Sequence, residues 1–133
     1  MKLFLDSSAI IELFANNKEV IDSIEKADEV YTSSLCSYEV LMGERFSERK
    51  GIKSHYKEAS AFFDSAATLP FTHDDSKTAS DIMATLSLKG RKVPDMDILI
   101  AAQALDRKCT ILTKDARHFA IIGKETNLGI LTF

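Results

Sequence analysis

No stretch of this sequence stays apolar long enough to cross a bilayer. Runs such as Ile98 to Ala102 fall far short of the roughly 20 residues a spanning helix needs. An apolar leader is missing too: "MKLFLDSS" meets an aspartate after one lysine and a three-residue apolar run, so it does not read as a signal peptide. Cysteine is scarce. Cys36 and Cys109 lie in apolar surroundings without metal-type spacing, as expected of buried, reduced thiols in a cytoplasmic protein. A strong charge of one sign is also absent. The net charge of −3 gives no overall pull toward nucleic acid, although "ERFSERKGIK" (44–53) and "KGRK" (89–92) are local clusters able to meet phosphates, or else ordinary solvated faces.

What is present suits a soluble globular domain. The 133 residues are 45% hydrophobic and 28% charged, enough for a real core in one domain spanning 1–133. Lys2 to Leu5 reads as a short strand ended by "DSS" (6–8), with Ser7 and Ser8 as caps for a helix over 9–15. Val20, Ile21, Ile24 and Ala27 have helical spacing. "EVYTS" (29–33) reads as a strand, followed by Ser34 as a cap and a helix over 35–46, with Leu35, Tyr38, Val40 and Leu41 as its apolar flank. A charged helix over 48–65 buries Ala59, Phe62 and Phe63, and "ATLPFT" (67–72) is a short strand broken by Pro70. Asp74, Asp75 and Ser76 offer caps for a helix to about Lys89, which Gly90 closes. "PDMDILIAAQAL" (94–105) is the next helix, "CTILT" (109–113) an interior strand and "GILTF" (129–133) a terminal one.

Strands alternate with helices from end to end, which predicts a three-layer α/β/α sandwich with a mainly parallel central sheet. In such sheets the ligand crevice lies beyond the carboxyl ends of the strands. Asp6 directly follows the first strand, and Asp115 comes two residues after Thr113. Glu39 lies just inside the helix after 29–33, and Asp97 opens the helix that leads into strand 109–113. All four therefore point to one rim. Taken singly, each has an ordinary use: Asp6 and Asp115 as caps, Asp97 as a complement to the helix dipole, Glu39 on a solvated face. Gathered together, like charges repel and raise one another's pKa, so the cluster calls for a compensating cation. Oxygen-only ligands favour Mg²⁺ or Mn²⁺, and none of His55, His73 and His118 has a metal-pair spacing. Two such ions, about 3.5–4 Å apart, suit phosphodiester hydrolysis.

The "DSS" after an N-terminal apolar strand, the mid-chain "EVLMG", and the late "DILIAAQA" followed by "TKDARHF" resemble the PIN domain, and more narrowly the VapC-type toxin ribonucleases. The resemblance runs from Asp6 to Phe119. It implies a Mg²⁺- or Mn²⁺-dependent endoribonuclease whose acids fall on Asp6, Glu39, Asp97 and Asp115, with Asp95 an extra residue at the helix start. Asp6 and Asp97 are expected to bind the principal metal, helped by Glu39, and Asp115 to serve a second metal or a water. Ser8 and Thr113 match hydroxyl positions that orient the acids. Lys114 and Arg117 are candidate contacts to substrate phosphates. The implied partners are an RNA substrate, a small VapB-like antitoxin crossing the active-site groove, and a second copy of the chain in a homodimer. Ile10 to Phe14 and Val20 to Ile24 are candidate contact residues, or else core.

Two other classes compete. A phospho-receiver signalling domain also gathers acids at strand ends, but it needs an acceptor Asp directly after its central strand; here "HDD" (73–75) follows the middle strand and Lys114 directly follows Thr113. A non-catalytic PIN-like module that binds RNA or protein is the other.

Overall fold

The computed structural model describes all 133 residues. Its elements run β1 (Lys2–Leu5), α1 (Ser7–Phe14), α2 (Lys18–Lys26), β2 (Glu29–Ser33), α3 (Ser34–Arg49), α4 (Tyr56–Ser65), β3 (Thr68–Leu69), α5 (His73–Leu88), α6 (Asp95–Asp106), β4 (Thr110–Thr113), α7 (Arg117–Gly123) and β5 (Gly129–Thr132). The five strands pair in parallel in the order β3-β2-β1-β4-β5. Each parallel step needs a crossover, which the helices supply, so both sheet faces are covered. The order differs from the 2-1-3-4-5 arrangement of flavodoxin-like folds such as signalling receivers, which removes the fold-level case for that alternative.

The central strands are apolar on both faces because both faces are buried. Leu3, Phe4, Ile111 and Leu112 are all fully inaccessible. Burying side chains of this size contributes about 1.5–3 kcal/mol each. From α6 the core takes Ile98, Ile100, Ala101, Ala102 and Ala104, which explains why "DILIAAQAL" is apolar almost all round. Cys36 and Cys109 are free and buried, as expected. No helix is long and apolar enough to cross a membrane.

Several element boundaries differ from the sequence reading. Asp6, not Ser7 or Ser8, caps α1: its backbone is extended and its carboxylate accepts from the Ala9 amide. Likewise Ser33, not Ser34, caps α3, accepting from the amides of Leu35 and Cys36. Thr72 caps α5 in a reciprocal box with Asp75, where caps were expected from Asp74 to Ser76. The charged segment is not one helix from 48. Instead α3 continues to Arg49, the chain turns at Gly51 with φ +72, and α4 begins at Tyr56. Tyr38, read as part of an apolar flank, is 58% exposed, while Val40 carries that burial.

Candidate active site

The register of the sheet assembles the site. Leu5 pairs with Leu112, so the residues that follow, Asp6 and Thr113, stand side by side at the carboxyl ends of β1 and β4. The Asp6 amide continues the ladder by donating to the Leu112 carbonyl at 3.3 Å. Because Asp6 is the cap, Ser7 and Ser8 lie in the first turn of α1 with their hydroxyls free for other work. Ser8 Oγ donates to Asp6 Oδ1 at 2.6 Å and accepts from the Lys114 amide at 3.0 Å. It also lies 3.5 Å from Thr113 Oγ1.

Asp6 is only 7% exposed. Burial lifts its carboxyl above the usual carboxylate range; hydrogen bonds from Ser8, Thr113 and the Ala9 amide pull the other way, and the charge of Asp97 adds to the rise. The structure thus brings Asp6 and Asp97 into one electrostatic neighbourhood, although they are far apart in sequence. Asp97 reaches the rim because it lies in the first turn of α6, the helix that leads into β4.

Glu39 approaches from α3 and is tied to the same turn of α1, where Ser7 Oγ donates to Glu39 Oε1 at 2.6 Å. Asp115 follows β4 but turns onto Arg117, with its Oδ2 2.7 Å from Arg117 Nη2 and 2.8 Å from Nε. This hydrogen-bonded pairing with Arg117 holds the Asp115 carboxyl below the usual range. Lys114 Nζ sits 3.0 Å from Glu12 Oε1, so both cations named from the sequence rest on acids of the same chain. Asp95 lies exposed at the start of α6, away from these contacts.

One residue of the rim escaped the sequence reading. His118, on α7, places Nδ1 2.8 Å from Asp97 Oδ2. Its position between the acid-bearing "TKDAR" and buried Phe119 was the available signal. Spacing to other histidines, the property a histidine ligand search uses, said nothing about it.

No three His, Cys, Asp or Glu side chains lie close enough together to enclose a metal ion as arranged. Glu39 accepts a hydrogen bond from Ser7, Asp97 is paired with His118, and Asp115 with Arg117. The donor set still matches a hard divalent cation in kind. It is carboxylate oxygen supported by hydroxyls, and burial penalises the negative charge of Asp6 in a way a nearby dication would offset.

Next to the rim lies a groove of about 480 Å³ between α1, α3 and α4. Ile11, Phe14, Val40 and Ala59 supply its apolar walls, and Glu39, Glu44 and Glu58 its acidic ones. Of the early-helix residues read as contact candidates, Ile11 and Phe14 are 55% and 40% exposed, whereas Ile10 and Val20 are core.

Comparison with known proteins bears on the family and the fold. Ribonuclease VapC19 of Mycobacterium tuberculosis is 29% identical over 96 residues, covering 72% of this chain and 71% of that protein. Among solved structures, VapBC2 from Rickettsia felis, bound to a DNA fragment from its promoter, superposes with a TM-score of 0.84 at 19% identity, covering 100% of this chain and 99% of that one. DNA-bound VapBC from Salmonella typhimurium gives 0.79 at 21% identity, covering 99% and 98%. The family model for the PIN domain matches residues 3–125, and the chain belongs to the PIN domain family.

Proposed function

We propose that this chain, as a single PIN domain over 1–133, is a Mg²⁺- or Mn²⁺-dependent endoribonuclease and the toxin of a toxin–antitoxin pair, acting in the cytoplasm as a homodimer. The observation that carries the reading is the buried Asp6 carboxylate at the end of β1, within the field of Asp97 from α6. Family membership and the likeness to a protein named as a ribonuclease support it.

In this reading Asp6 and Asp97 hold the principal ion and Glu39 assists, while Asp115 holds a second ion or a water. When bound, the ion lowers the pKa of water and stabilises charge on the phosphate oxygens. The chain's own groups do the rest. Ser8 and the Ala9 amide fix the Asp6 carboxylate, Ser7 fixes Glu39, and Thr113 Oγ1 donates to the Asp115 backbone carbonyl at 3.3 Å. Lys114 and Arg117, with side chains 62% and 83% exposed, lie at the rim where an RNA backbone would pass. Hydrolysis adds water at phosphorus and expels the 3′-oxygen, which takes up a proton, leaving a 5′-phosphate and a 3′-hydroxyl.

The groove between α1, α3 and α4 suits the antitoxin. Its apolar walls and glutamates match a segment with apolar and basic side chains, and Glu39 is shared with the rim, so an occupant would reach the carboxylates.

The test is incubation of purified protein with structured RNAs in Mg²⁺, Mn²⁺ or EDTA, with Asp97→Asn alongside. Cleavage with 5′-phosphate ends is expected with metal and none in EDTA. Asp97→Asn should abolish cleavage while metal-free thermal stability stays unchanged or rises. Cleavage that persists in the variant, accompanied by lost stability, would make Asp97 structural, and a parent protein that cuts no RNA with either metal would overturn the reading.

A further inference from the structure

Each acid of the rim has a side chain that fixes its direction: Ser8 for Asp6, Ser7 for Glu39, Arg117 for Asp115. For Asp97 the only such side chain is His118. We infer that His118 is a positioning residue for Asp97, holding its Oδ2 through Nδ1 so that Oδ1 is presented to a divalent ion. The inference rests on the nuclease reading above.

The geometry is well anchored at both ends. His118 is the second residue of α7, whose Phe119 and Ile122 are 3% and 0% exposed, so the ring is carried on a helix fixed in the core. Asp97 lies in the first turn of α6, whose next residue, Ile98, is 2% exposed. The 2.8 Å contact therefore joins two packed helices, and it spans 21 residues of sequence. Carboxylate Oδ1 of Asp97 has no hydrogen-bond partner in the protein, unlike Oδ2. A carboxylate with one oxygen bound and the other free is a suitable ligand geometry, because ligand orientation is then set before the ion arrives. The imidazole needs only an N–H at Nδ1 for this, which one neutral tautomer provides, so no change of protonation is invoked.

The experiment compares the parent with His118→Leu and His118→Asn, by Mn²⁺ titration calorimetry of metal-stripped protein and by steady-state RNA cleavage. The asparagine amide N–H takes the place of Nδ1–H; leucine offers no donor. His118→Leu should bind Mn²⁺ about 10–100-fold more weakly and lose kcat by a similar factor, with KM for RNA nearly unchanged. His118→Asn should recover most of both. Melting curves in EDTA confirm that all three fold. The inference is overturned if His118→Leu takes up Mn²⁺ as tightly as the parent, if asparagine rescues no better than leucine, or if only KM rises, which would make His118 a substrate contact. A parent protein that binds no Mn²⁺ and cuts no RNA removes the nuclease reading itself, a different result from a parent that does both beside an indifferent variant.

Discussion

Ser7 and Glu39 meet at 2.6 Å, hydroxyl to carboxylate, and join the first turn of α1 to α3 across 32 residues of sequence. The bond exists because Asp6 took the capping role and released Ser7 from it. Glu39 is half-buried and shared with the apolar groove, so without this bond its side chain is free to swing toward solvent. Ser7→Ala should lower kcat/KM for RNA by roughly 10-fold, as expected for loss of an outer hydrogen bond to a ligand. Its stability cost should be small, about 0.5–1.5 kcal/mol. Cleavage kinetics together with urea unfolding separate the two effects.

Thr72 supplies the opposite kind of test, one of fold without chemistry. Its hydroxyl accepts from the Asp75 amide, and Asp75 Oδ2 accepts from the Thr72 amide at 2.9 Å. Thr72→Ala should cost about 1 kcal/mol of stability, the usual value of a lost N-cap, and leave cleavage per folded molecule unchanged. Chemical denaturation and an activity assay well below the unfolding midpoint check both halves.

Lys114 and Arg117 are paired with Glu12 and Asp115 in the free protein, yet both side chains remain largely exposed. If they exchange these acids for RNA phosphates, Lys114→Met and Arg117→Met should each raise KM. Each should also flatten the dependence of log KM on log salt by about 0.7, the single-strand value per phosphate contact. Unchanged slopes would leave them as surface ion pairs.

Cys36 lies behind the site with its thiol buried, and burial pushes its pKa from 9.0 up to about 11. The folded value is above the unfolded one, so below pH 9.0 both states keep the proton and stability is unaffected. As pH rises from 9.0 through about 11 the unfolded chain ionises first, and this group's contribution to stability is lost. Iodoacetamide at pH 8 should therefore leave native Cys36 unlabelled and label it readily in denaturant, as peptide mass mapping would show.

Much of this architecture was legible in the sequence, and the reasons differ by element. The strands β1 and β4 read clearly because short apolar runs stop at polar residues, and the acids that follow them, Asp6 and Asp115, lie at the strand ends. Asp97 was legible because an acid at the front of an apolar helix calls for explanation. The break between α3 and α4 was hidden, since charge is continuous from Glu44 to Glu58 and only Gly51 marks the turn. Choosing among Asp6, Ser7 and Ser8 as the cap was beyond composition, because all three side chains can cap; backbone conformation decided it. His118 was missed for another reason. Its partner lies on a different helix, and no local period records a contact made by tertiary packing. For the same reason the ion pairs that engage Lys114 and Arg117 had no sequence signature.

The central claim is that carboxylates carried by separate elements serve one divalent ion at the strand ends. Mn²⁺ titration calorimetry of the metal-stripped protein and of Asp6→Asn tests it most directly, because asparagine keeps an oxygen for the Ala9 amide while removing the buried charge. Saturable Mn²⁺ uptake by the parent, lost or severely weakened in Asp6→Asn with its metal-free melting temperature equal or higher, is the predicted result. Equal uptake by both proteins would contradict it.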